Sequence, residues 1–145
     1  MEIREVMTSK VQVCRPSDGI QVAAMKMKDY DIGAIPIVEN DQRVVGILTD
    51  RDIVIRGLID PKFNVSTMTC RELMTSDVIS VYADADVHEV ANLMAEQQIR
   101  RLPIVDNQNR LVGICSIGDL AVEHIFMDEV GQALSDISKP ETTVH

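Results

Sequence analysis

The chain has 145 residues, enough for one compact domain or two small repeats sharing a core. Hydrophobic residues make up 46% but aromatics only 3%, with no Trp, so the interior must be aliphatic, built from Ile, Val, Leu, Ala and eight Met. A formal net charge of −9 disfavours long-range attraction to nucleic acid or an anionic membrane, because both ask for a basic face. Apolar runs stop far short of the roughly 20 residues a membrane helix needs. The start, Met1-Glu2-Ile3-Arg4-Glu5, has neither the basic opening nor the apolar run of a signal peptide, so a soluble cytoplasmic protein is expected.

In chain order, residues 11–14 form a short β-rich run. Arg15-Pro16-Ser17-Asp18-Gly19 is turn chemistry, with Ser17 or Asp18 the expected helix cap. Ile20, Ala23, Ala24 and Met27 then recur at helical spacing. Residues 34–38 read as a strand, Glu39-Asn40-Asp41-Gln42 as a polar turn and residues 44–48 as the returning strand. Thr49 opens a second helix through Ile53, Val54 and Leu58. Residues 57–69, with Asp60-Pro61 and several Ser and Thr, read as a connection.

The same order then returns. Residues 7–53 fall on residues 74–120 without a gap, and about sixteen positions are identical. Met7-Thr8-Ser9 meets Met74-Thr75-Ser76, Pro36-Ile37-Val38 meets Pro103-Ile104-Val105, Val45-Gly46-Ile47 meets Val112-Gly113-Ile114, and Asp52 meets Asp119. Strands are thus expected at 78–81, 101–105 and 111–115. A helix opens at Ala83-Asp84-Ala85-Asp86 and carries Val87, Val90, Ala91 and Met94, and another starts at Ser116 and runs through Leu120 and His124. The expected organisation is a first repeat at 1–60, a linker at 61–72, a second repeat at 73–127 and a tail at 128–145. Val130, Leu134 and Ile137 in the tail suit a short docked helix, and residues 139–145 are expected to fray.

Cys14, Cys70 and Cys115 are scattered singly. An odd count without C-x-x-C spacing argues against a disulfide framework or a zinc site, and buried small hydrophobes are expected. His88 and His124 read as helix-face residues and His145 as a tail residue, with no metal-ligand spacing.

The paired Met-Thr-Ser, Ile/Leu-Pro-Ile-Val and Gly-Ile-x-Thr/Ser-x-x-Asp blocks together resemble the cystathionine β-synthase (CBS) domain, over essentially residues 3–126. A tandem pair of these is a Bateman module, and the chain looks like a stand-alone bacterial or archaeal CBS-pair protein. The resemblance implies an α/β (α+β) fold of two β-α-β-β-α repeats about a pseudo-two-fold axis. It also implies clefts between the repeats that bind adenosine-containing ligands such as AMP, ATP or S-adenosylmethionine, with no cofactor required. In the family the acid of the Thr/Ser-x-x-Asp segment holds ribose hydroxyls and its hydroxyl residue contacts ribose or phosphate. Here these are Thr49 and Asp52, and Ser116 and Asp119. The chemistry is sound, since a carboxylate accepts from both hydroxyls of a cis-diol and a helix start offers N–H groups to phosphate. The same spacing is also a capping box, and the two roles can coexist.

The family's basic residue before the Pro-containing strand is matched by Arg100 and Arg101, of the type suited to phosphate oxygens. The first repeat departs, with Gly33 and Ala34 there, so the two sites are not expected to be equivalent. Strand alternation points Arg100 and Arg101 in opposite directions. Family precedent suggests an adenine slot from Val11, Val13, Ala34, Ile35 and Pro36, and from Val78, Ser80, Leu102 and Pro103. By sequence alone these are equally core residues. The function expected is a ligand-sensing regulatory module, with a constitutive dimerisation or protein-interaction scaffold as the alternative. No G-x-S-x-G, H-E-x-x-H, P-loop or G-x-G-x-x-G is present, so an enzyme is not expected. The apolar faces Ala23-Ala24-Met27 and Val90-Ala91-Met94 suggest a homodimer, acting on a partner protein the sequence does not name.

Overall fold

The computed structural model describes residues 1–122 and 134–138. The expectations for His124, Val130 and residues 139–145 lie outside them. In order, the elements are a 3₁₀ turn Ile3–Glu5, α1 Ile20–Tyr30, β1 Ala34–Val38, β2 Val44–Thr49, α2 Asp50–Asp52 running into a π-helical turn Ile53–Leu58, α3 Cys70–Leu73, β3 Val81–Tyr82, α4 Val87–Gln97, β4 Arg101–Val105, β5 Leu111–Ser116 and α5 Ile117–Val122. Small sheets and helices alternate, as an α+β tandem repeat should. β1 and β2 pair antiparallel, with Ala34 opposite Thr49 and Pro36 opposite Ile47. β4 lies between β3 and β5, and β3 joins it in parallel through Val81 opposite Ile104.

The chain forms two compact units that cross the sequence periods. Unit 1 combines Met1–Ser9, Ser80–Asp106 and the described residues from Val112 on. Unit 2 combines Lys10–Ile79 and Asn107–Leu111. The cause is a reciprocal exchange of leader segments. In unit 1, Thr8 bridges Ile114 and Glu2 bridges Asp86. In unit 2, Thr75 bridges Ile47 and Thr69 bridges Gly19. Each leader closes on itself with a capping box, Glu2–Glu5 in one and Thr69–Glu72 in the other. The period therefore extends upstream of the Met-Thr-Ser blocks.

Each unit has its own aliphatic core. In unit 1, Ile3 packs with Val87, Val90, Ala91, Met94, Leu102, Ile104, Cys115 and Leu120. In unit 2, Cys14, Ile20, Ala23, Met27, Ile35, Ile37, Leu48, Cys70, Leu73 and Met74 do the same. Phe63 and Met68 pack against the second core, so the 57–69 stretch is folded onto unit 2. Asn64 orders it, its side chain accepting from the Ser66 N–H at 3.0 Å and its carbonyl from the Met68 N–H at 2.9 Å. Gly57 admits this packing. A Cβ there would lie 2.9 Å from Leu73 Cδ1 and 3.0 Å from Phe63 Cε2.

Several expected boundaries shift. The strand at 11–14 contracts to a bridge at Cys14, whose N–H donates to the Pro36 carbonyl at 3.2 Å. Pro16, with no N–H to donate, stops the pairing beyond Cys14, and residues 11–13 make no bridge to β1. Its counterpart is displaced to Val81–Tyr82. The cap of α1 is neither Ser17 nor Asp18 but Gly19, without a side-chain bond. Asp18 is committed elsewhere, its carboxylate accepting from the Arg15 N–H at 2.8 Å and its carbonyl from the Cys70 N–H at 2.8 Å. In α4 the Asp86 carboxylate does cap, accepting from the His88 N–H at 3.0 Å. α1 and α4 both end on a left-handed residue, Asp31 and Gln98, and the hairpin turns after β1 and β4 repeat this at Gln42 and Asn109. Residues 134–138 are helical, and Gln98 Nε2 donates to the Asp136 carbonyl at 2.7 Å.

Candidate functional site

The Thr/Ser-x-x-Asp segments adopt one geometry in both units. In unit 2, the Asp52 N–H donates to Thr49 Oγ1 at 3.0 Å, and the Thr49 N–H donates to Asp52 Oδ2 at 3.0 Å. In unit 1, the Asp119 N–H donates to Ser116 Oγ at 3.1 Å, and the Ser116 N–H to Asp119 Oδ2 at 3.0 Å. All four residues are half-buried. The capping box read from sequence is therefore real. It does not exhaust these groups, because an ionised carboxylate has about four acceptor positions and a hydroxyl that accepts still has its own proton to donate.

A backbone bond places the residue before each Pro-containing strand beside this helix start. In unit 2, the Asp50 N–H donates to the Gly33 carbonyl at 3.0 Å. In unit 1, the Ile117 N–H donates to the Arg100 carbonyl at 2.7 Å. Arg100 is thereby anchored next to Ser116 and Asp119, with its side chain exposed, while Arg101 opens β4 and is half-buried. Unit 2 offers the opposite charge at this place. The Asp50 carboxylate lies against Gly33, where a Cβ would stand 3.3 Å from Oδ2.

The expected adenine slot is mostly wall. Ile35 and Leu102 are 0% exposed, and Ala34, Pro36 and Pro103 are buried, so they hold the strands in place. Val11, Val13, Val78 and Ser80 are half-buried and keep some surface. Lys26 was not singled out by sequence, yet its Nζ reaches from α1 to the Val13 carbonyl at 2.6 Å. Helical spacing put Lys26 beside Ala23 and Met27, but nothing in the sequence pairs it with Val13. Two shallow depressions of about 350 and 340 Å³ lie elsewhere. One is flanked by Asp50, Arg51, Val54 and Ile55, the other by Val81, Glu89, Leu93 and Glu96 among others. Neither includes the Thr49–Asp52 or Ser116–Asp119 boxes. Among the described residues no group of three or more His, Cys, Asp or Glu is arranged to hold a metal ion, and no helix is long and apolar enough to cross a membrane.

Known proteins are similar to this chain in sequence and fold. The YlbB protein of Bacillus subtilis is 44% identical over 139 residues, covering 95% of this chain and 92% of its own. The crystal structure of Hypoxic Response Protein I with two coordinated zinc ions superposes with a TM-score of 0.76 at 38% identity, over 84% of this chain and 98% of that one. The CBS domain pair of protein MJ0100, solved with 5′-methylthioadenosine and S-adenosyl-L-methionine, superposes with a TM-score of 0.75 at 27% identity, over 86% and 95% of the two chains. The sequence profile of the CBS domain matches twice, at residues 3–57 and 70–123, each match opening in the leader that the other unit takes up. With both copies matched and both helix-start boxes formed, the chain belongs to the CBS domain family as a tandem pair.

Proposed function

We propose that the chain is a regulatory module that binds an adenosine-containing ligand of the AMP, ATP or S-adenosylmethionine class, working as a homodimer read by a partner protein. The observation that carries this is the half-buried hydroxyl–carboxylate box, repeated with matching bond lengths in both units at the positions that the family resemblance assigns to ribose. Asp52 and Asp119 are assigned to the ribose hydroxyls, and Thr49 and Ser116 to ribose or phosphate. The bound nucleosides of the MJ0100 pair support this class of ligand. Arg100 and Arg101 favour a phosphate at unit 1. Gly33 and the neighbouring Asp50 disfavour one at unit 2. Ligand occupancy would shift the balance between conformations only as far as it binds them differently.

Calorimetric titration with adenosine and with AMP tests the reading. AMP should bind more tightly than adenosine, with the gain lost in high salt. Asp52→Ala and Asp119→Ala should weaken binding unequally, with circular dichroism checking that the fold survives. A charge-assisted bond to phosphate is worth roughly 1.5–3 kcal/mol, so whichever of Arg100→Ala and Arg101→Ala removes it should weaken AMP by about tenfold to a hundredfold and leave adenosine alone. Equal affinities for AMP and adenosine would remove the phosphate role. Failure of every adenosine compound to bind would leave the scaffold reading, which the exposed Val54, Ile55, Leu58 and Ile59 favour.

A further inference from the structure

Two of the three cysteines meet. Cys14 bridges Ile37 of β1, and Cys70 is the first residue of α3. Three backbone contacts lay these segments side by side: the Cys70 N–H on the Asp18 carbonyl at 2.8 Å, the Arg71 N–H on the Pro16 carbonyl at 3.0 Å, and the Gly19–Thr69 bridge. Both side chains sit in one core cluster, 1% and 0% exposed, with the two thiols close enough for each to shift the other's ionisation. The repeat supplies a comparison inside the molecule. The residues at the equivalent positions of unit 1 are Ile3 and Val81, and they too pack together, as plain hydrocarbon. Where one unit closes its leader with an apolar contact, the other closes it with two sulfurs.

We propose that Cys14 and Cys70 are a redox-active dithiol that closes into an intramolecular disulfide, fastening the leader of the second repeat covalently to unit 2. With hydrogen peroxide as oxidant the reaction balances. The Cys14 sulfur attacks one peroxide oxygen, the O–O bond breaks, and the thiol proton leaves with the departing hydroxide as water. The Cys70 sulfur then displaces hydroxide from the resulting sulfenic acid, its own proton completing a second water, and the S–S bond forms. Two electrons pass from the thiols to the peroxide. The surroundings fit these roles. The neighbouring Cys70 thiol holds Cys14 below its ordinary pKa, with the Lys26 ammonium adding to the effect against burial and Asp18, while the neighbouring Cys14 and burial push Cys70 up. Cys115 is alone, buried in the other core, its thiol pushed up to about 12 by burial, then by Asp119, and it serves as the internal control.

The test treats the reduced full chain with hydrogen peroxide and counts free thiols after denaturation. Three should fall to one, the intact mass should drop by two hydrogens, and a digest should give a peptide joined through Cys14 and Cys70. The oxidised protein should melt several degrees higher than the reduced one, because the bond closes a long loop of the unfolded chain. Cys115→Ser should still lose two thiols. Cys14→Ala and Cys70→Ala, each checked for folding by circular dichroism, should lose the cross-link. Three thiols surviving in the wild type, a disulfide between chains, or a bond involving Cys115 would overturn the proposal.

Discussion

At the scale of the residue, the tightest constraint is a methionine seated on a glycine. A Cβ on Gly113 would stand 2.5 Å from Met7 Sδ and 2.9 Å from the Thr8 carbonyl. One on Gly46 would stand 2.9 Å from Met74 Cγ and 3.2 Å from the Thr75 carbonyl. Methionine can bend away, but the backbone oxygen behind it cannot. Gly46→Ala and Gly113→Ala should each cost about 1–3 kcal/mol of stability in urea titrations. Met74→Ala should recover part of the Gly46→Ala loss, and a double-mutant cycle measures the coupling. Both glycines were visible in sequence as members of the repeated Val-Gly-Ile. What they make room for was not, since each meets the leader of the other repeat. The boxes at Thr49–Asp52 and Ser116–Asp119 were legible because their bonds span three residues. Lys26 on Val13 and Cys14 against Cys70 were not, because long-range partners leave no local spacing.

At the scale of the element, β1 and β4 matched their expected bounds because a run of four or five apolar residues followed by turn chemistry admits little else. The strand at 11–14 did not, since its pairing depends on how far the parallel neighbour runs. The leaders are the elements on which each unit most depends. Ile3 is wholly enclosed, and its N–H donates to the Ala85 carbonyl at 2.8 Å. Deleting residues 1–9 removes it and opens a cavity of side-chain size, a change of the kind that costs about 2–5 kcal/mol. Hydrogen exchange should then show lost protection at Leu102 and Ile104 and retained protection at Ile35 and Leu48. Equal loss in both units would show that the leader stabilises more than unit 1.

At the scale of the whole molecule, the two apolar faces that suggested a homodimer are largely spent inside their own units. Ala23, Met27, Val90, Ala91 and Met94 are buried there, and of the six residues only Ala24 is exposed. Other apolar surface takes their place. Val54, Ile55, Leu58 and Ile59 are 48–71% exposed along and just after the π-helical turn, and Val22, Met25 and Tyr30 are exposed on α1. A chain of net charge −9 gains little from bringing copies together unless apolar area is removed from water. Light scattering should return twice the 16.1 kDa chain mass. Leu58→Asp with Ile59→Asp should return a single chain with unchanged circular dichroism. A wild-type monomer at micromolar concentration would sink the idea.

The exchange of leaders also sets a timetable. As the chain leaves the ribosome, residues 1–9 emerge long before their partners, since Thr8 must wait for Ile114 and Ile3 for Ala85. Most of unit 2 has no such wait, because Lys10–Ile79 is contiguous. This leader is therefore made before unit 2 but finds its place after it, and until then its apolar residues are open to chaperones or to the wrong neighbour.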